Sequence, residues 1–467
     1  MIDLLTALTL GTVAFYGLRS LYICASLALS WRHYCAHSAQ CELGRSNAPQ
    51  PLDVIIPAFE EQAVMPATMR HYAMLAKNWP GLRVWVVTAA REQTRAMPGA
   101  VSTDAVCREL ASALNDSLGR DIFKVVCYPG TGGRRASQLN FALDAIARSA
   151  SGYVAVFDAD ARPDERLGSQ FTAAAASGPS MIQQLQLPAF IALAVHRRSA
   201  LMCGQDLYAL RRVLGIEYRR ILLARWCRRR STALLCAAVR PMVYGVGSGL
   251  VVRVESLEEI GRFQEPHDDL AVGHRLSMAG AEIAVMPSVN IVEPYRDVAS
   301  MARAFSSVAF GNAATVADYR HARKHPSTLG HGEQLLLLWR ALVDGVLWAT
   351  GPYLVLAALV ACLVSGEVGA IAAGAALAIN GLIEPALALR YRRLLLATVR
   401  QPDVDSLADF HEVPLLRGLC AYLMQPALTS TGPWLLGARW IAATLRGRPI
   451  AFTKTAHFGA TQERHDG

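Results

Sequence analysis

Hydrophobic positions along this chain fall into three patterns. At the N-terminus a nearly uncharged run extends from Leu4 to Trp31, with Arg19 its only ionic residue. Through the middle of the chain, short apolar runs of strand length alternate with segments at helical spacing. Near the C-terminus, Val346–Val364 supplies 19 uncharged residues, about 28 Å as a helix and enough for one bilayer crossing. Val368–Leu389 predicts another membrane helix, interrupted by Asn380 and Glu384-Pro385; polar groups at that depth face protein or water rather than lipid. Pro426, Gly432 and Pro433 divide Leu415–Leu445, so a hairpin, an interfacial pair and a single span compete there.

The central pattern reads as α/β. LDVIIP (52–57), LRVWVVT (82–88), FKVVCY (123–128) and YVAVF (153–157) are apolar almost throughout, with Met65–Lys77 and Gln138–Ala147 at helical spacing between them. Strands of this kind separated by helices build a mostly parallel sheet covered on both faces. Ligands of such sheets bind beyond the carboxyl ends of the strands. The polar clusters Glu60-Glu61, Thr88–Glu92 and Asp158–Asp160 follow those ends.

Composition narrows the class. Of 467 residues 53% are hydrophobic and 18% charged, too apolar for a wholly water-soluble chain and too aliphatic for a disordered one. Ten cysteines are no disulfide framework and read as small buried hydrophobes. The expected organisation is an N-terminal transmembrane helix (1–31), a water-facing α/β domain (32–334), a membrane region of two to four helices (335–445) and a polar tail (446–467). Arg32, Arg45, Arg390, Arg392 and Arg393 flank the apolar runs. The positive-inside tendency then places 32–334 in the cytoplasm of a multi-pass cell-membrane protein.

Asp158-Ala159-Asp160 carries the sharpest chemistry. Two carboxylates two residues apart, just past a buried strand, suit Mg²⁺ or Mn²⁺, which shares one or two carboxylates with substrate phosphates. A metal there neutralises the charge that develops on a departing diphosphate. Asp268-Asp269 opens a predicted helix: one of the pair suits a general base and the other an N-cap. His267 and His274, seven apart without a third ligand, read as structural. GVGSG (245–249) lacks the spacing of a dinucleotide fingerprint; its small residues suit a close backbone approach or a tight turn.

The succession IIPAFEEQ (55–62), GGRRASQLNFAL (132–143), VFDADARPD (156–164), GSGLVVR (247–253) and HDDLAVGHRLSMAG (267–280) resembles the membrane-associated family 2 glycosyltransferases over residues 50 to 315. The resemblance implies a GT-A-type fold, a nucleotide-sugar donor (a UDP-sugar favoured), a divalent metal and inversion at the sugar. It implies donor contacts at Pro57, Ala58, Glu61, Arg135, Gln138, Asn140 and Asp158, metal ligation by Asp158 and Asp160, and a base at Asp269, with Asp268 as the alternative.

The chain departs from that pattern at informative points. The second strand ends without the acid that reads uracil, leaving Thr88 or Glu92 to substitute. Asp268 stands where the family has glutamate and Arg135 where it has lysine. ARAFSSVAFGN (302–312) lacks the Q-x-x-R-W of processive synthases, which argues for transfer of one or few sugars to a lipid or glycan acceptor. The rivals are a processive synthase, an inactive scaffold and a nucleotidyltransferase. HPSTLGHG (325–332), before the membrane, reads as a linker.

The net charge of +9 has a local origin. Residues 197 to 230 hold ten arginines against Asp206 and Glu217, interleaved with apolar residues at helical spacing. That fits an amphipathic segment on anionic membrane lipids, with some arginines available to a lipid-linked phosphate. No recognition module for nucleic acid accompanies them.

Overall fold

The computed structural model describes residues 4–43, 49–92, 101–131, 135–146, 152–188, 200–229, 233–265, 267–295, 297–365, 368–399 and 415–446. Gly132, Gly133 and Arg134 of the GGRRASQLNFAL segment, Arg197, Arg198, Arg230 and the tail from 447 lie outside them.

An eight-stranded mixed sheet runs in the order β3-β2-β1-β4-β7-β6-β8-β5. Its strands are β1 (Leu52–Pro57), β2 (Leu82–Ala89), β3 (Phe123–Tyr128), β4 (Tyr153–Val156), β5 (Arg162–Pro163), β6 (Met181–Pro188), β7 (Leu250–Arg253) and β8 (Ile283–Val292). The α/β class expected from the hydrophobic pattern is the class observed. Strands β1 to β4 are parallel, with Leu52 opposite Leu82, Val84 opposite Phe123 and Asp53 opposite Val154. Their crossovers are α2 (Met65–Lys77), α3 (Thr103–Leu118) and α4 (Arg135–Ile146). Helix α2 starts with Pro66 in its first turn, where a missing N–H costs nothing, and buries the Met69, Tyr72, Ala73 and Ala76 stripe. Helix α3 is capped by Ser102, which accepts from the Ala105 N–H, and stops at Gly119 with φ +62°, a conformation glycine adopts without steric cost.

Beyond β4 lie α5 (Leu167–Ala175), α6 (Ala200–Arg212), a π-helical turn (Val213–Tyr218), α7 (Arg219–Arg228), α8 (Ala233–Val239), α9 (Val254–Glu259), α10 (Asp268–Ala279) and α11 (Val298–Ala322). Strand β7 is antiparallel to both β4 and β6, with Leu250 opposite Val156. The segment entering β7 therefore meets the carboxyl end of β4. Strand β8 is parallel to β6, so the residues after Val292 reach the same edge. Sequence distance of more than a hundred residues disappears at that edge.

Among the described residues three helices are long and apolar enough to cross a membrane. They are α1 (Leu4–Leu43), α12 (His331–Val364) and α13 (Val368–Leu396). The boundaries expected at 31 and 334 fall inside α1 and α12. Leu415–Leu445 is one helix, α14, that continues through Pro426 and Pro433. Within it Thr431 donates to the Leu428 carbonyl at 2.6 Å and Ser430 to the Ala427 carbonyl at 2.8 Å. Glycines let α14 approach its neighbours. A Cβ on Gly432 would stand 2.5 Å from the Phe305 backbone of α11, and one on Gly204 of α6 would stand 2.6 Å from the Ala421 carbonyl of α14.

One hydrophobic core joins the membrane helices to the sheet. Ile23, Leu27 and Tyr34 of α1, and Ala388, Tyr391 and Leu395 of α13, cluster with Ile55, Val154, Leu185 and Leu250. Each such aliphatic side chain contributes about 1.5–3 kcal/mol when fully buried. The π-helical turn sits at the junction, with Gly215 against Leu27 and Ile23. Many arginines of the basic segment turn toward this junction. Arg211 pairs with Glu384 of α13, Arg219 with the Tyr22 hydroxyl of α1, and Arg220 with Asp344 of α12 at 2.6 Å. Arg392 of α13 returns the connection, donating to Asp206 of α6 at 2.6 Å.

Candidate active site

The carboxyl edge of the sheet collects four aspartates around one guanidinium. Arg135, at the start of α4, places Nη2 2.8 Å from Asp158 Oδ1 and 2.7 Å from the Gly247 carbonyl, while Nη1 reaches Asp268 Oδ2 at 3.0 Å. The Asp158 N–H donates to Ser248 Oγ at 3.2 Å, and Asn290 of β8 donates to the same hydroxyl at 2.7 Å. Asp160 is buried and accepts from the Glu293 N–H at 2.9 Å. Asp158, Asp160, Asp268, Asp269 and Arg135, named separately from sequence, are thus brought together.

Asp268 and Asp269 form the first turn of α10, where the positive helix terminus favours anions. The helix N-cap is His267, without a side-chain capping bond, which corrects the expectation that Asp268 caps it. Asp268 instead faces Arg135, and Asp269 Oδ1 accepts from the Leu270 N–H at 2.8 Å. Burial pushes the Asp268 carboxyl up to about 7; Arg135 opposes the rise and Asp269 adds to it. Burial likewise raises Asp269, again against Arg135. Burial works against the Arg135 charge, but Asp158, Asp268, Asp269 and Asp160 outweigh it and raise its pKa.

The glycines of GVGSG are needed for packing. A Cβ on Gly247 would stand 2.6 Å from Arg135 Nη1 and 3.0 Å from Asp269 Oδ2, and one on Gly245 2.5 Å from the Asp269 carbonyl. Across the contact, a Cβ on Gly273 of α10 would fall 2.1 Å from the Gly245 nitrogen. Backbone therefore lies directly on backbone, and Gly249 turns into β7 with φ +82°.

The other expected donor residues lie beside this cluster in bracing roles. Ala58 is buried, its N–H donating to the Val87 carbonyl at 2.9 Å. Gln138 donates to that same carbonyl at 2.9 Å, tying α4 to the ends of β1 and β2. Asn140 binds the Phe263 backbone on both sides, at 2.9 and 3.2 Å. After Pro57 and Ala58 the chain turns through Glu60 at φ +56°, a strained conformation for a non-glycine residue. Glu61 is buried, its N–H donating to Thr103.

Thr88 and Glu92, one of which is expected to substitute for a base-reading acid, are both held by neighbouring groups. Glu92 is buried, and its carboxylate accepts from the Glu60 N–H and from the Thr103 N–H and hydroxyl. Thr88 donates to Asp104 Oδ1 at 2.7 Å. Sequence reasoning missed Asp104, an acid in a first helical turn that reads as ordinary. It also missed Tyr295, whose phenol is raised by burial and by the charges of Asp158, Asp160 and Asp269 against Arg212.

His274 stands 3.3 Å from Asp318 of α11, which also receives Arg275 at 2.9 Å; His267 packs on Phe310 with ring centroids 5.2 Å apart. Among the described residues no group of three or more His, Cys, Asp or Glu forms a metal cage. Asp158 and Asp160 nevertheless fit Mg²⁺ or Mn²⁺, whose shell is completed by substrate oxygens and water. Asp158 keeps 36% side-chain exposure.

No protein-family model and no characterised protein matches the chain at a significant level. Solved structures do. The mannosyltransferase PcManGT from Pyrobaculum calidifontis, in complex with GDP-Man and Mn²⁺, matches with TM-score 0.46 and 17% identity, over 87% of this chain and 99% of that one. TarS 1-349 of S. aureus with UDP-GlcNAc matches with TM-score 0.38 and 10% identity, over 87% and 98%. Glucosyl-3-phosphoglycerate synthase from Mycobacterium tuberculosis, with Mn²⁺, UDP and phosphoglyceric acid, gives 0.33 and 14%, over 62% and 84%. At these scores the likenesses carry no functional argument, and the reading below rests on the site.

Proposed function

We propose that this chain is a membrane-embedded, metal-dependent, inverting glycosyltransferase of the family 2 type. It moves a sugar from a nucleotide-diphosphate donor, a UDP-sugar favoured, to a lipid or glycan acceptor at the cytoplasmic membrane face, one or few sugars at a time. The observation that carries the reading is the convergence of Asp158 and Asp160 with Asp268 and Asp269 around Arg135 at the carboxyl ends of parallel strands.

Each residue has a role in a single displacement. Asp269 takes the proton of the acceptor hydroxyl as its oxygen bonds to the anomeric carbon and the bond from that carbon to the diphosphate breaks. Asp268 holds Arg135 at 3.0 Å, and the guanidinium is placed to receive the diphosphate. Asp158 and Asp160 would hold a divalent cation, which supplies charge neutralisation for the leaving group. Main chain at Gly245 and Gly247 packs closely on Asp269 and Arg135 and holds both in position.

The test is a panel of labelled nucleotide sugars incubated with membranes containing the protein and Mn²⁺. Transfer of single sugars, lost in Asp158→Ala, is expected. A ladder of long products would overturn the single-addition reading in favour of a synthase. Absence of both transfer and donor hydrolysis across the panel would overturn the enzyme reading and leave the scaffold.

A further inference from the structure

The density of charge around Arg135 raises a question that the transfer reaction leaves open. Four carboxylates gathered at one edge repel each other, and in the donor-free protein the Arg135 guanidinium counters them. That side chain also lies where the donor's charges must arrive. We propose that Arg135 is the resident counter-ion of the empty site: it competes with the divalent cation for Asp158 and gives Asp158 up when a diphosphate takes the guanidinium.

The geometry divides the guanidinium into a fixed half and a releasable half. Nη1 is committed to the buried Asp268 at 3.0 Å. Nη2 is shared between the Gly247 carbonyl at 2.7 Å and Asp158 Oδ1 at 2.8 Å. Asp158 is the more exposed partner, 36% against 7% for Asp268, so its contact with Arg135 is the cheaper one to break. Gly247 admits this position, since a Cβ there would stand 2.6 Å from Nη1. A positive charge 2.8 Å from a prospective ligand weakens cation binding by Coulomb repulsion. A diphosphate offers the same guanidinium a bidentate partner of higher charge than one carboxylate. Metal and diphosphate then bind in concert, because each relieves the cost of the other.

This inference rests on the proposed metal-dependent reading, and the experiment separates the two. Binding of Mn²⁺ alone to the purified full-length protein is measured by the loss of the free-ion paramagnetic resonance signal, then repeated with UDP. Arg135→Gln is expected to bind Mn²⁺ on the order of tenfold more tightly than the wild type without nucleotide. With Mn²⁺ present it is expected to bind UDP on the order of tenfold more weakly. Arg135→Lys, which keeps the charge but cannot span both aspartates, falls between and serves alone should Arg135→Gln not fold. A folded variant that binds Mn²⁺ no more tightly than the wild type overturns the exchange while leaving the transferase reading intact. Failure of the wild type to bind Mn²⁺ even with saturating UDP, or unchanged binding in Asp158→Asn, overturns both.

Discussion

Asp318 of α11 receives Arg275 of α10 at 2.9 Å and stands 3.3 Å from His274, so the helix whose first turn carries Asp269 is clamped at two successive residues. All three side chains are buried. Asp318→Ala strands a buried guanidinium, at a cost of about 3–5 kcal/mol. A lower unfolding midpoint in detergent is the expected result; an unchanged midpoint would show that the clamp is dispensable.

Asp269→Asn is expected to lower kcat by about 10² to 10⁴, the usual contribution of a positioned base, with donor affinity nearly unchanged. Asp268→Asn should act differently, weakening donor binding through Arg135. Steady-state kinetics with separate donor titration distinguishes them. Should Asp268→Asn abolish kcat while Asp269→Asn spares it, the two roles are exchanged.

The elevated Asp268 carboxyl predicts opposite pH trends for activity and stability. The ionised form holds Arg135 in place, so kcat/KM rises with pH toward about 7 and then levels. The folded pKa lies above the ordinary 3.8, so this group's contribution to stability is fully present below about pH 4 and is lost as pH rises through its folded value. The limb depends on the guanidinium that Asp268 holds, so Arg135→Gln should abolish it. A profile flat from pH 5 to 8 would contradict it.

Arg211 and Glu384 pair across the α6–α13 boundary, with Tyr422 donating to the same carboxylate at 2.5 Å. Either partner changed alone to Met leaves a charge uncompensated, at a cost of about 3–5 kcal/mol. The Arg211→Met/Glu384→Met double variant should be less damaged than either single change. Thermal unfolding in one detergent gives the whole cycle.

Gly432→Ala places a methyl group 2.5 Å from the Phe305 backbone, and main chain cannot swing aside as a long side chain would. Separating α14 from α11 should cost about 1–3 kcal/mol, read as a reduced midpoint.

Much of the fold was legible because it obeys local rules. LDVIIP, FKVVCY and the Met65–Lys77 stripe became the elements their periodicity predicts. Pairings set by long-range contacts were not legible. Nothing in GGRRASQLN shows that Arg135 will meet Asp158 and Asp268, because that meeting depends on β7 entering the sheet antiparallel beside β4. Asn140 illustrates the opposite limit: a motif position suggestive of ligand contact is occupied with the Phe263 backbone. The prolines of α14 signalled a break, but the helix runs through them, packed closely on α11 at Gly432 and on α6 at Gly204, contacts that only the tertiary fold creates. Arginines that read as a lipid-facing strip found acids and a phenol within the protein.

Ile23, Leu27 and Tyr34 of α1 and Tyr391 and Leu395 of α13 share one core with strands of the sheet. An interior packed at crystal density transmits displacement rather than absorbing it. On the proposed membrane-embedded reading, a bilayer whose thickness tilts α1 or α13 is expected to repack the support of the strand ends that carry Asp158, making lipid composition a mechanical input to the cleft. For the same reason, no cut between helix and sheet would release an intact catalytic half into water.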